Sequence, residues 1–187
     1  MRRIIVGISG SSGAVYGARL IEVLAEVPDV ETHLVVTSGA EATIAYETSY
    51  DVADVKDLAD VVYADDNLAA AIASGTFVTD GMVIAPCSIK TLSAVANGYD
   101  ATLIARAGDV CLKERRRLVL LVRETPLHLG HLRTMTAVAE AGAVVLPPVP
   151  GFYTRPATIA DLVDHTITKT LDQFGIDAGL VDRWSGI

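Results

Sequence analysis

The segment GISGSSGAVYG, residues 7–17, follows the apolar run Ile4-Ile5-Val6 and precedes the helix-like stretch Ala18–Leu24. A turn rich in glycine and serine between a strand and a helix offers backbone amides and hydroxyls to a phosphate. The spacing of Gly7, Gly10 and Gly13 is not the G-x-G-x-x-G of a dinucleotide fold, and no Gly-Lys-Ser/Thr follows to cradle a nucleoside triphosphate. Similar chemistry recurs along the chain. Thr37-Ser38, Pro86-Cys87-Ser88-Ile89-Lys90-Thr91, Arg123-Glu124-Thr125 and PPVPGFYTRP, residues 147–156, each follow an apolar run. Small hydroxyl residues at helix starts, joined by Lys90 and Arg123, suit an anion. Polar loops and ordinary helix capping at Ser88 and Thr91 are the competing explanation.

Positioning such groups calls for strands and helices in alternation. Strands are expected at Arg3–Ile8, Thr32–Val36, Gly81–Ala85, Leu118–Val122 and Val144–Leu146, several of them unbroken Val/Ile/Leu runs suited to a sheet covered on both faces. Helices are expected at Gly13–Ala25, Ala40–Glu47, Lys90–Ala96, Ala101–Glu114, Gly130–Glu140 and Thr158–Phe174. Residues 48–80 carry the weakest pattern, with a strand over Leu58–Tyr63 and a short helix over Asn67–Ser74. This order predicts one α/β domain over residues 1–187, a Rossmann-like, doubly wound parallel sheet with right-handed crossovers. Ligands of such sheets gather beyond the carboxyl ends of the strands, where the polar loops fall.

Composition narrows the partners. The chain of 187 residues is 51% apolar, enough for one well-buried core, and its net charge is −8. An acidic surface argues against nucleic acid and anionic membranes. No apolar run approaches the roughly 18 residues of a membrane span, and Met1-Arg2-Arg3 leads into too short an apolar stretch for a signal peptide, so a cytoplasmic location is expected. Cys87 and Cys111 lack metal-type spacing and sit in apolar surroundings, so no disulfide is expected. His128 and His131 form an H-x-x-H pair without a third ligand in pattern, and no metal is expected.

GISGSSGAVYG, MVIAPCSIKTLSAVANG, LIARAGDVCLKERRRLVLLVRETPLHLGHLRTM, PPVPGFYTRP and the closing DRW, in this order, resemble the flavin prenyltransferases of the UbiX type. They lie within the wider group of flavin-binding cysteine decarboxylase-like flavoproteins, and the resemblance covers nearly the whole chain. It implies transfer of a dimethylallyl group from dimethylallyl phosphate to N5 and then C6 of reduced FMN. The prenylated FMN so formed would serve UbiD-type decarboxylases, with a flavin reductase supplying the reduced flavin. It also implies a homo-dodecamer built from trimers, in which neighbouring subunits complete the flavin site.

By this resemblance Gly10, Ser11, Ser12, Ser38, Ser88, Ile89, Lys90, Thr91 and Arg123 contact FMN, the glycine through close backbone approach. Arg106, Lys113, Tyr153 and Lys169 hold the donor phosphate, with Glu124 beside it. Arg106 and Lys113 stand seven apart, on one helical face, and are expected to point toward a shared site. Lys113 also reads as a solvated charge at a helix end. The position of Lys169 is commonly arginine in relatives, and a lysine there loses the bidentate fork. Trp184 is the aromatic face for an allylic cation or a hydrophobic plug of the tail. Glu47 is the acidic group near the ring-closing carbon or an exposed helix glutamate. The catalytic set implied is therefore Glu47, Lys113, Glu124 and Trp184.

Two rival functions use the same fold. A phosphopantothenoylcysteine decarboxylase-like FMN enzyme uses a histidine base and an Ala-Ser-Ala-Asn type segment, where this chain has Cys87-Ser88-Ile89-Lys90 and no histidine between His33 and His128. A non-catalytic FMN-binding protein would need Gly10–Ser12 and Arg123 but has no use for Arg106, Lys113, Tyr153 and Lys169 together.

Overall fold

A computed structural model of the chain describes residues 1–186. Six parallel strands form one sheet: β1 (Arg2–Ile8), β2 (Val30–Val36), β3 (Val61–Tyr63), β4 (Gly81–Cys87), β5 (Arg117–Val122) and β6 (Val144–Val145). Their order is β3-β2-β1-β4-β5-β6. The chain winds outward from β1 to β3, then crosses back to lay β4 on the other side of β1 and winds outward again. The crevice between the carboxyl ends of β1 and β4 is therefore the topological switch point.

Helices cover both faces, as the unbroken apolar strands require. Ile4, Val6 and Ile8 of β1 pack into a core closed by α1 (Ala14–Ala25), α2 (Ser38–Glu47), α3 (Val52–Asp57) and α7 (Ile159–Asp172). Ile5 faces the opposite way with Met82 and Ile84 of β4, under α4 (Ile89–Ala96), α5 (Leu103–Lys113) and α6 (Leu129–Glu140). Each fully buried Ile or Leu contributes about 1.5–3 kcal/mol of transfer free energy, so the two cores hold the loops at the sheet edge.

Three expectations are corrected. Helix α3 lies within the region of weak pattern, with only Val55 buried, and strand β3 is shortened to Val61–Tyr63. Asp51 caps α3 by accepting from the Ala53 amide at 2.7 Å, a polar start that the apolar pattern did not flag. The short helix expected over Asn67–Ser74 is a single 3₁₀ turn, Ala71–Ala73. Helix α5 starts at Leu103 rather than Ala101, because the Asp65 carbonyl and carboxylate receive the Leu103 and Ile104 amides at 2.7 and 2.9 Å. That cap comes from 39 residues upstream of Ile104, beyond the reach of a local pattern.

Candidate functional site

Hydrogen bonds lace the two loops at the switch point together. The Ser9 hydroxyl donates to the Pro86 carbonyl and accepts from the Ser88 amide, both at 2.8 Å. Ser88 then caps α4: its Oγ accepts from the Thr91 amide at 3.2 Å and donates to Thr91 Oγ1 at 3.1 Å. The capping explanation for these two hydroxyls therefore holds, while the remaining first-turn amides of α4 stay available to an anion. Ile89 and Lys90 open that helix, Ile89 half-buried and Lys90 exposed. Thr37 caps α2 in the same manner, accepting from Ala40 at 3.1 Å, and exposed Ser38 stands in its first turn.

Gly10 is required by close packing within the chain. A Cβ there would lie 2.8 Å from the carbonyl carbon of Gly39 and 2.9 Å from its Cα, so the glycine lets the β1 loop touch the start of α2. Its close approach within the chain is to backbone. The neighbouring Ser11 hydroxyl is buried without a hydrogen-bond partner, an atom that a bound polar ligand would satisfy.

Glu47, the last residue of α2, reaches back to this loop and accepts from the Gly13 amide at 2.7 Å. Burial by itself pushes its carboxyl up, but the Gly13 amide, the Ser12 hydroxyl, the Ala14 amide and the positive charge of Arg123 together hold it below the usual carboxylate range. Arg123 follows β5, and its amide donates to the Cys87 carbonyl at 3.1 Å. The same charge acts on Tyr16, whose phenol is pushed up by burial and eased down by Thr166 and Arg123. Sequence reasoning assigned Tyr16 no role; an aromatic residue in the first turn behind the glycine loop was the available signal. Gly10, Ser11, Ser12, Ser38, Glu47, Ser88, Thr91 and Arg123 thus meet at one edge of one chain.

The residues expected at the donor phosphate do not converge in the same way. On α5, Arg106 donates to Asp100 at 2.8 Å, to Asp109 at 3.1 Å and to the Ala73 carbonyl at 3.1 Å. Lys113, the last residue of that helix, pairs with Glu114 close to Gly75 and four residues before β5 begins, which places it at the amino edge of the sheet. Asp109, between these two cations on the helix, feels the positive charge of both, while burial and Asp100 push its carboxyl up. Lys169 lies 3.6 Å from Asp172, which also holds Arg183 at 2.7 Å. Tyr153 Oη sits 2.9 Å from His165 Nε2, and its ring meets that of Trp184 edge to face at 5.8 Å. Exposed Glu124 accepts from its neighbour Thr125 at 2.9 Å.

Cavities follow the same division. One of about 680 Å³ lies at the amino edge between Arg2, Arg115, Arg116, Arg117 and Phe174 and touches none of the expected residues. One of about 490 Å³ includes Tyr153, Arg183 and Trp184, and one of about 340 Å³ includes Thr37, Lys90 and Thr91. Chemistry rather than volume selects the last two. Cys87 and Cys111 are free and buried, and burial pushes both thiols up, Cys111 to about 12. His128 caps α6, accepting from Gly130 at 3.0 Å, with its ring 3.5 Å from that of His131. Among the described residues no group of three or more His, Cys, Asp or Glu gathers as a metal site. Among the described residues no helix is long and apolar enough to cross a membrane.

The flavoprotein family profile matches residues 1–171. The flavin prenyltransferase UbiX of Thauera aromatica is 57% identical over 184 residues, covering 98% of this chain and 94% of that protein. The chain belongs to the UbiX flavin prenyltransferase family. A crystal structure of AnUbiX in complex with FMN and dimethylallyl pyrophosphate superposes with a TM-score of 0.97 at 49% identity, covering 100% of this chain and 98% of that one. A dodecameric FMN-dependent UbiX-like decarboxylase from Escherichia coli O157:H7 superposes at 0.96 and 46% identity, covering 98% and 100%. The switch-point loops of this chain carry an unpartnered buried hydroxyl at Ser11, two capped helix starts and the cation of Arg123 near Glu47.

Proposed function

We infer that this chain is a flavin prenyltransferase that joins the dimethylallyl group of a dimethylallyl phosphate to N5 and C6 of reduced FMN. The observation that carries the reading is the hydroxyl-rich crevice at the β1/β4 switch point, its loops tied together by Ser9, in a chain 57% identical to a named flavin prenyltransferase. When bound, reduced FMN supplies the electron-rich nitrogen and carbon that take the allyl group.

The protein's part is to hold, orient and neutralise. Ser11, Ser12, Ser38 and the α4 start with Ile89, Lys90 and Thr91 bind the flavin, and Arg123 adds a cation beside it. Glu47, ionised and fixed by the Gly13 amide, accepts the proton that leaves as the ring closes. Arg106, Lys113, Tyr153 and Lys169 hold the departing phosphate with Glu124 alongside, and preorganised donors of this kind stabilise developing charge better than water does. Tyr153 and Trp184, already edge to face, present aromatic surface to a cationic allyl group and shield it from water.

The active form is an oligomer in which neighbouring copies complete the flavin site and bring the donor-site groups to it. Large apolar side chains left exposed support this: Tyr46 at 91%, Phe152 at 69%, Trp184 at 61% and Leu129 at 59%. A dodecamer, as in the E. coli O157:H7 relative, is the assembly proposed. The reduced flavin would come from a flavin reductase and the product would pass to a UbiD-type decarboxylase. The two free thiols suit the reducing cytoplasm as the site of action.

Anaerobic incubation with reduced FMN and dimethylallyl phosphate, followed by mass spectrometry of the bound flavin, tests the reading. A five-carbon gain in flavin mass is expected, while flavin recovered unchanged overturns it in favour of an FMN carrier or a cysteine decarboxylase.

A further inference from the structure

His165 was assigned no function by sequence, yet it is the one group that touches the Tyr153 hydroxyl among the described residues, Nε2 to Oη at 2.9 Å. It is 8% exposed, and its other nitrogen, Nδ1, is buried with no hydrogen-bond partner. A buried lone pair left unpaired is tolerated more readily than a buried N–H left unpaired. The tautomer that fits this site therefore carries its proton on Nε2 and leaves the bare lone pair at Nδ1. Nε2–H then donates to the phenolic oxygen, and the phenol's own O–H is left free to donate outward.

Two further features show the pair as built. A Cβ on Gly151 would lie 2.9 Å from His165 Cε1, 3.1 Å from Nε2 and 3.1 Å from Tyr153 Cε1, so the missing side chain is the slot the two rings occupy. The imidazole and phenol also meet edge to face, with centroids 5.5 Å apart. Lys169 stands one helical turn beyond His165 on the same face of α7, which puts an ammonium on the side of the helix that holds the tyrosine.

We propose that His165 is a positioning residue of the donor-phosphate site: its Nε2–H fixes the Tyr153 oxygen so that the phenolic proton is presented to a phosphate oxygen of the donor. The proposal rests on the prenyltransferase reading. Single-turnover adduct formation is measured across donor concentrations for wild type, His165→Leu, His165→Gln, Tyr153→Phe and the Leu/Phe double variant, each first shown to retain FMN. His165→Leu is expected to raise the half-saturating donor concentration about tenfold, the fold-change of one lost hydrogen bond of ordinary strength. His165→Gln, whose amide N–H can replace the donor, should recover to within about threefold of wild type. The double variant should be no worse than Tyr153→Phe alone, because the histidine acts only through that hydroxyl. Additive losses in the double variant, or a wild-type donor dependence in His165→Leu, overturn the proposal. Should His165→Leu fail to fold, Gly151→Ala, which crowds the same pair, is expected to raise the half-saturating donor concentration in the same direction, and no change there counts against the role. Isotope-edited imidazole NMR of the wild-type protein separates this failure from that of the parent reading: a proton on Nδ1 overturns the positioning role whatever the turnover, whereas absence of adduct from wild type overturns the prenyltransferase assignment.

Discussion

Around the switch point Ser9, Thr37, Glu47 and Ser88 are held by groups of their own chain, through bonds of 2.7–3.2 Å that tie β1, α1, α2 and α4 into one cradle. Arg106, Lys113 and Lys169 are also held by their own chain, but by carboxylates close to them in sequence rather than by the loops of the switch point. On the proposed assignment these cations hold the donor phosphate and the switch-point loops hold the flavin, so flavin binding and prenyl transfer should separate under mutation.

The widest separation is expected at Lys113 and Tyr153. Lys113→Ala and Tyr153→Phe should purify with FMN yet form adduct about 100-fold to 1000-fold more slowly, as for loss of one donor to an anion in a site that excludes water. Co-assembling the two variants should regain part of the activity if the residues reach one site from different copies; single-turnover rates of the mixture measure this. Rates near wild type for both single variants would make Lys113 a solvated helix end and dissolve the contrast.

Next in size is the effect of Arg123→Ala, which should weaken FMN retention about 10-fold to 100-fold, in keeping with a hydrogen bond to a charged group. Lys113→Ala should leave retention far less affected, and fluorescence titration with FMN compares the two. Equal loss in both variants would remove the division between the regions.

A smaller effect is expected at Lys169. Lys169→Arg keeps the charge and restores a bidentate fork, so adduct formation should hold or improve by about twofold to fivefold. A large drop would mean that Lys169 is chosen for its compact ammonium.

Smallest is the pH dependence carried by Glu47. Its carboxyl is held below the ordinary range in the folded chain, so its stabilisation is present above the unfolded-state value and is lost as pH falls through the folded one. Glu47→Gln should therefore melt lower than wild type at neutral pH, by about 1–3 °C given its exposure to screening solvent. The two melting curves should converge in acid. A gap that widens as pH falls would contradict the Gly13–Glu47 contact as the source.

The periodic parts of the chain were legible because they are local. Unbroken Val/Ile/Leu runs at β1, β4 and β5 state that both faces are covered, and the hydroxyl residues after them state where a ligand belongs. The order of glycine, serine and arginine segments carried the family. What depended on distance in the chain was not legible. Asp65 capping α5, the Gly10 backbone against Gly39, and Glu47 folded back onto Gly13 join residues 29 to 39 positions apart, and nothing in any one segment announces its partner. Arg106 and Lys113 are by contrast paired locally, with carboxylates one to six residues away along the chain. His165 looked like one polar residue on an amphipathic helix until Gly151 left room for Tyr153 to reach it. Sequence determines what a stretch can form through bonds along a few residues, whereas the identity of a side chain's partner depends on which surfaces the two cores press together, and only the folded chain decides that.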